Sequence, residues 1–412
     1  MSASLTTNSH DAMDSRAERA QELRVLLVLS ALMSFASIAT DIYLPAFPTI
    51  QRALHGGPGD IEFTLSSFLA GFGIGQLLWG PLGDRHGRRL PIAVGLALFI
   101  VGSIGCASST TVLQLTAWRV VQALGACAGP VLARAMARDL YRDERAAQML
   151  STLIFIMMAA PLLGPLLGGQ LLAVWSWQGI FWTMAALGVL GILALYTLPE
   201  TLPVAQRARG PLRDVFATYL ALSRNRRLMG FALSGACFYA GMYVFIAASP
   251  SVYIETFDVP AQRYGLLFGV NILGMMATNF LNSRLVMHVG SERLFHYGVR
   301  ALAVSGVVLA INVQLGLGGL WGVVLPVFCF SAMNGLVVAN SVAGALAEAP
   351  ERTGAASSFV GAMQYGSGVA SALLVGWLAD GTARPMACLM AAAGVSSVVL
   401  AHFVRRVAAP QS

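Results

Sequence analysis

The sequence predicts an all-α membrane protein of twelve transmembrane helices, arranged as two six-helix bundles. Three observations carry that expectation. Of 412 residues, 57% are hydrophobic and 11% charged, a balance foreign to water-soluble globular domains. Apolar runs of about 20 residues, the length that crosses a bilayer as a helix, recur along the whole chain. The basic residues are all arginine, and they cluster in short segments between those runs, so the net charge of +7 reads as a positive-inside bias rather than a nucleic-acid surface.

The expected spans cover residues 26–46, 63–82, 91–107, 112–136, 149–173 and 179–198, then 228–250, 266–289, 294–315, 321–347, 355–378 and 386–404. With the N-terminus in the cytoplasm, the periplasmic loops carry only Arg52, Arg263 and Arg384, while the opposite side collects the other loop arginines. The longest polar connection, 199–227, is the expected cytoplasmic linker between bundles at 23–198 and 228–404. Residues 1–22 have no apolar core, so they are expected to form a short, poorly ordered cytoplasmic tail rather than a signal peptide, and 405–412 a second tail. The turn through Gly290 echoes the turn through Gly87, consistent with two parallel repeats. Five cysteines, all within apolar runs and without metal-ligand spacing, are expected to be small core residues.

A few residues do not belong in lipid. Ser30, Ser34, Ser37 and Asp41 share one face of span one, and Asp41 lies about 25 Å of helix beyond Arg24. A carboxylate at that depth costs at least ~2.5–3.5 kcal/mol, so it should face a cavity or a partner. The alternative is a span that ends at Thr40 and leaves Asp41 at the surface before Pro45 and Pro48. Arg119 sits about 10 Å deep on span four, at a matching depth. Its charge would favour an ionised Asp41 while desolvation would favour the neutral acid, a balance suited to proton exchange; a purely structural arginine bonded to carbonyls is the competing reading. In the second half, Asn271, Asn334 and Gln364 lie inside spans, and Tyr239 and Met242 either line a greasy pocket or pack in the core. Glu62, Glu255, Asp258 and Glu348 stand at span ends and read as solvated. No nucleophile–base set, metal cluster or phosphate loop is evident, so neither an enzyme nor a cofactor is expected.

Three segments are more particular than topology demands. Gly80-Pro81-Leu82-Gly83-Asp84-Arg85-His86-Gly87-Arg88-Arg89 resembles the GxLaDrxGrk loop signature of the major facilitator superfamily of transporters. Arg119-Val120-Val121-Gln122-Ala123-Leu124-Gly125-Ala126 resembles its RxxQGxGA motif, with Ala123 for the first glycine. The run 160–169, containing Gly164, Pro165, Gly168 and Gly169, is similar to the gxxxGPxxGG motif of the drug/proton antiporters. Asp41-Ile42-Tyr43-Leu44-Pro45-Ala46, Glu200-Thr201-Leu202 and Gly354-Ala355-Ala356-Ser357-Ser358 resemble the Bcr/CflA (bicyclomycin and chloramphenicol resistance) family.

The resemblance implies a monomeric exporter of small amphipathic compounds in the bacterial inner membrane, both termini cytoplasmic, exchanging cargo for protons. It implies that Asp41 and Arg119 carry the coupling, with cargo contacts from Ser34, Ser37, Asp41, Gln122, Tyr239, Met242, Asn271, Asn334 and Gln364. A conformational switch would use Gly80, Gly83, Asp84, Arg85, Gly87 and Arg88, with Asp84 holding the outward-open state by meeting the start of span eleven and Arg138 as its arginine partner. A further acid two turns earlier on span one, present in some such antiporters, is replaced by Leu32, Met33 and Ser34. The rival readings are a proton-coupled importer on the same fold and a non-transporting membrane sensor or scaffold.

Overall fold

A computed structural model describes residues 3–57, 59–141, 143–207 and 219–408, and among them the chain is helical with no strand. The first half comprises α1 (Ala3–Asp41), the short α2 (Phe47–Ala53), α3 (Asp60–His86), α4 (Arg89–Ala107), α5 (Val112–Leu140), α6 (Asp143–Val174) and α7 (Trp177–Leu195). The second comprises α8 (Arg226–Pro250), α9 (Ala261–Val289), α10 (Ser291–Leu315), α11 (Gly319–Ala332), α12 (Asn334–Ala347), α13 (Thr353–Trp377) and α14 (Arg384–Ala408). Among the described residues, eleven helical stretches are long and apolar enough to cross a bilayer, and α6 supplies the remaining crossing.

Helix ends follow from local chemistry. Asn225 Oδ1 accepts from the backbone N–H groups of Arg227 and Leu228 and starts α8, as Thr111 starts α5 by accepting from Gln114. Gly87, Gly290 and Gly316 end α3, α9 and α10 at positive φ, which glycine adopts without strain. Large side chains such as Leu113, Val174 and Trp377 face outward, where a bilayer rather than water is the solvent.

Several expectations need correction. The tail is not irregular, because α1 runs from Ala3, although residues 1 and 2 lie outside the described part, as do 208–218 of the linker and 409–412 at the C-terminus. Span one is broken: α1 stops at Asp41, a 3-10 turn covers Leu44–Ala46, and α2 follows, since Pro45 and Pro48 have no N–H to continue a helix. Span seven is prolonged beyond Pro250 by a π-turn, Ser251–Thr256. Span ten is two helices parted at Met333, where the Ala332 carbonyl accepts from Thr278 Oγ1 instead of from its own helix. Cys106 and Cys127 are core residues as expected, but Cys329 and Cys388 are exposed on the outer surface.

The two halves meet along α3–α13 and α6–α9. At the arginine-poor end the approach is close enough that only glycine fits. A Cβ on Gly59 would overlap the Gly376 carbonyl, one on Gly265 would lie 2.7 Å from the Leu166 nitrogen, and one on Gly169 would lie 2.8 Å from the Ala261 oxygen. At the arginine-rich end, Arg88 pairs with Asp84 and Asp139, and Arg227 with Glu292 and Glu348, each within one half. There the Glu200 carboxylate accepts from the backbone N–H groups of Arg88, Arg89, Thr201 and Leu202. Partial burial opposes its charge, but the four N–H donors outweigh that and hold Glu200 below its ordinary value of 4.5.

Two predictions follow from these contacts. Gly265→Leu should part the arginine-poor seam. A cysteine placed at Val375, 3% exposed in the closed seam, should then react with a membrane-impermeant maleimide several-fold faster than in the parent, Cys329 and Cys388 being replaced by serine in both. Glu200, its acidity strengthened by folding, contributes stability that is fully present above pH 4.5 and lost as pH falls below it. Glu200→Gln should therefore unfold about 1–2 °C lower at pH 7 and show a flatter pH dependence below 4.5 in a thermal-shift titration.

Candidate functional site

The break after Asp41 builds the site. A helix that stops leaves its last carbonyls without intrahelical donors. One of them, Ala39 O, accepts from Arg119 Nη1 of α5 at 3.0 Å. The cation thereby caps the negative end of α1 inside the protein. Arg119 is 0% exposed, and its guanidinium lies 4.0 Å from the Tyr43 ring centroid and 4.2 Å from that of Phe68. Nη1 also donates to Gln122 Oε1 at 2.5 Å, and Gln122 is fixed in turn through Nε2 to Ser103 Oγ at 2.8 Å and Met184 Sδ at 3.2 Å. Among the described residues, Arg119 Nε and Nη2 have no acceptor within hydrogen-bond geometry.

Asp41 is 4% exposed and forms no ion pair among the described residues, although it lies within electrostatic reach of Arg119. Helix α1 does end there, one residue beyond Thr40, yet Asp41 is buried and not at the surface. The close packing of α6 is what covers it. A Cβ on Gly164 would sit 3.0 Å from Asp41 Cβ, and one on Gly168 would overlap the Ile42 carbonyl. Of the expected coupling and cargo residues, Asp41, Arg119 and Gln122 are thus brought together. Ser34 donates to Ser30 O within α1, and Ser37 is half-buried on the same helix.

The second half presents amides and tyrosines. Asn271 Oδ1 and Gln364 Nε2 are buried without partners. Tyr239 joins a cluster with Tyr243 (centroids 6.2 Å apart) and Tyr365 (6.4 Å from Tyr243), which reaches Phe72 of the first half at 4.9 Å. Met242 is buried in the core, and Asn334 is spent on Asn279, whose Nδ2 donates to its Oδ1 at 3.1 Å. Phe238 and Phe245, stacked on Phe330 and Phe268, are core residues.

At the arginine-rich end the expected Asp84–Arg138 pair is replaced. Arg88 reaches Asp84 Oδ1 at 2.6 Å and Asp139 Oδ2 at 2.8 Å, whereas Arg138 is exposed. Arg88 follows the turn at Gly87, stands at the N-cap of α4 and reaches the ends of α3 and α5. Gly87 is at φ +88°, with Glu200 and Arg207 where a Cβ would go, and Gly83 seats Leu132. Gly80 has open space around it and Arg85 is exposed. The sequence reading missed Tyr43, Phe68 and Ser103, whose signals were an aromatic two residues after Asp41 and a lone serine in an apolar run. It also read Glu62 as solvated, but that residue is 4% exposed.

Comparison with known proteins agrees with this architecture. The description "Major Facilitator Superfamily" matches residues 28–372. A bicyclomycin resistance protein homolog of Haemophilus influenzae is 31% identical over 380 residues, 92% of this chain and 95% of that protein. A chloramphenicol resistance protein of Pseudomonas aeruginosa is 32% identical over 327 residues, 77% of this chain and 74% of that protein. The partially occluded, inward-open xylose transporter XylE from E. coli shares the fold, with a TM-score of 0.74 at 16% identity over 94% of this chain and 98% of that one. A broken first span over a buried arginine, two six-helix halves and these relatives together place the chain in the Major Facilitator Superfamily, as a multi-pass membrane transporter and not an enzyme.

Proposed function

We propose that the protein exports small amphipathic drugs, of the chloramphenicol and bicyclomycin kind, across the bacterial inner membrane in exchange for protons. The observation that carries this reading is the buried, unpaired Asp41 carboxyl beside an Arg119 with two N–H-bearing atoms still free of acceptors. Those donors suit an oxygen of either the ionised acid or a bound cargo, so proton and drug compete for one region. The relatives' names, bicyclomycin and chloramphenicol resistance, point to the same cargo class. With the arginine-rich end in the cytoplasm, the glycine seam closes the periplasmic side.

In the proposed cycle, cargo from the cytoplasm or inner leaflet enters between the halves and displaces a proton from Asp41. The halves rock about the site, cargo leaves outside, and reprotonation favours the return. A membrane potential of 100 mV supplies about 2.3 kcal/mol per proton, enough for roughly a 50-fold gradient of a neutral drug.

Asp41→Asn should reduce proton-driven drug uptake into inverted vesicles to the level seen with an uncoupler; undiminished uptake would exclude this mechanism. Expressed in a strain stripped of its own efflux pumps, the native protein should raise the inhibitory concentration of chloramphenicol- or bicyclomycin-like compounds several-fold. No change across such a panel, together with uncoupler-sensitive accumulation of a nutrient, would favour an importer.

A further inference from the structure

Glu62 has no part in the cycle above, yet it is placed where the cycle must open. Helix α3 starts at Asp60, so Glu62 lies in its first turn, where an acid is ordinarily solvated and favoured by the helix dipole. Here it is 96% buried, the complement of its 4% exposure, because the first turn of α3 is pressed against the second half. Oε1 accepts from Ser251 Oγ at 3.2 Å, and Oε2 has no partner. Ser251 opens the π-turn that prolongs span seven, an irregularity that turns its hydroxyl toward the seam. The remaining wall comes from Ala248, Val252, Val375 and Met386, all of the second half.

Like charges stand close to Glu62. Glu255 on the π-turn and Asp60 on its own helix are acids whose fields reach it. From the segment joining α13 to α14, the facing residues are Ala379, Gly381 and Thr382; Asp380 on that segment bonds Thr382 and is balanced by Arg384. A carboxylate in this place would be desolvated, would accept from only one side chain, Ser251, and would face like charges, and no helix dipole offsets all three. The protonated acid fits the closed seam without those penalties, and an open seam returns the group to water.

We propose that Glu62 is a second proton-binding site, at the periplasmic gate: a proton there holds the outer seam shut, and its release favours opening. The site is a gate and not a carrier, because Glu62 exchanges protons with the periplasmic side alone. It rests on alternating access and on the orientation proposed above, but not on Asp41. An acidic periplasm would then favour the inward-facing state directly, in addition to protonating the central site.

The test is the outer separation of the two halves as a function of pH. Spin labels at Ser108→Cys and Leu317→Cys, both on outer connections, would be read in the full-length protein in liposomes from pH 5 to 9. Cys237, Cys329 and Cys388 would be changed to serine, and the buried Cys106 and Cys127 kept. The ratio of closed to open separations should fall with rising pH, by up to about tenfold per unit where Glu62 titrates. Glu62→Gln should lose that one-proton component and stay closed throughout, whereas Asp41→Asn should retain it. Ser251→Ala should move the midpoint. A native distance insensitive to pH, an unchanged profile in Glu62→Gln, or an unmoved midpoint in Ser251→Ala each overturns the proposal. Loss of transport in Asp41→Asn, with the pH-dependent gate intact, separates failure at the centre from failure at the gate.

Discussion

A guanidinium with no access to solvent must find its acceptors inside the protein, and the first half is built around that need. Arg119 obtains one acceptor because α1 stops early and frees the Ala39 carbonyl. It obtains another because Gln122, one turn on, is itself held by Ser103. Tyr43 and Phe68 cover its faces and shield the charge from lipid. The break in α1 and the buried cation are therefore each other's condition. A continuous helix would offer no carbonyl, and without the cation the broken end would leave a buried acceptor unsatisfied.

That local arrangement is tied to the large-scale geometry through α6. The same glycine-rich face that lies against Asp41 and Ile42 continues, at Gly169, into contact with α9 of the other half. A backbone approach this close leaves little slack between the end of α1, α6 and the seam. Pro161 and Pro165 within α6 remove hydrogen bonds from the helix that has to make both contacts.

Much of this was legible in the sequence, for identifiable reasons. Hydropathy and arginine placement report directly on the solvent each residue meets, so the twelve crossings and their division could be read from them. Asp41 and Arg119 stood out because charge in an apolar run has few innocent explanations. Glu62 did not, because a residue at a span end is assigned to water by position, and only the fold shows that the second half lies over it. The π-turn after Pro250 and the parting at Met333 were invisible for a related cause. Both depend on acceptors and donors from other helices, such as Thr278 for Ala332, that no local pattern announces. Arg138 drew attention as the arginine at the inner end of span four; that Arg88 meets Asp84 depends on the turn at Gly87, which brings the start of α4 back against the end of α3.

The two halves, alike in topology, have parted in chemistry. Among the described residues, the buried charged side chains Asp41, Glu62, Arg88 and Arg119 all belong to the first half, while the buried polar groups of the second are serine, asparagine and glutamine. The divergence is plain at one equivalent position. Arg88, after Gly87, bridges Asp84 and Asp139; Ser291, after Gly290, donates to Asn340 Oδ1, and Asn340 donates to Asn282. Neutral amides do not respond to protons, and a field set by charges does not read the shape of an uncharged drug. On the proposed reading, the first half holds the region where proton and cargo compete, and the second offers tyrosine and amide surface to the rest of the cargo. The cargo then bridges the halves beside the seams where they touch, which is where Phe72 meets Tyr365 and Glu62 meets Ser251.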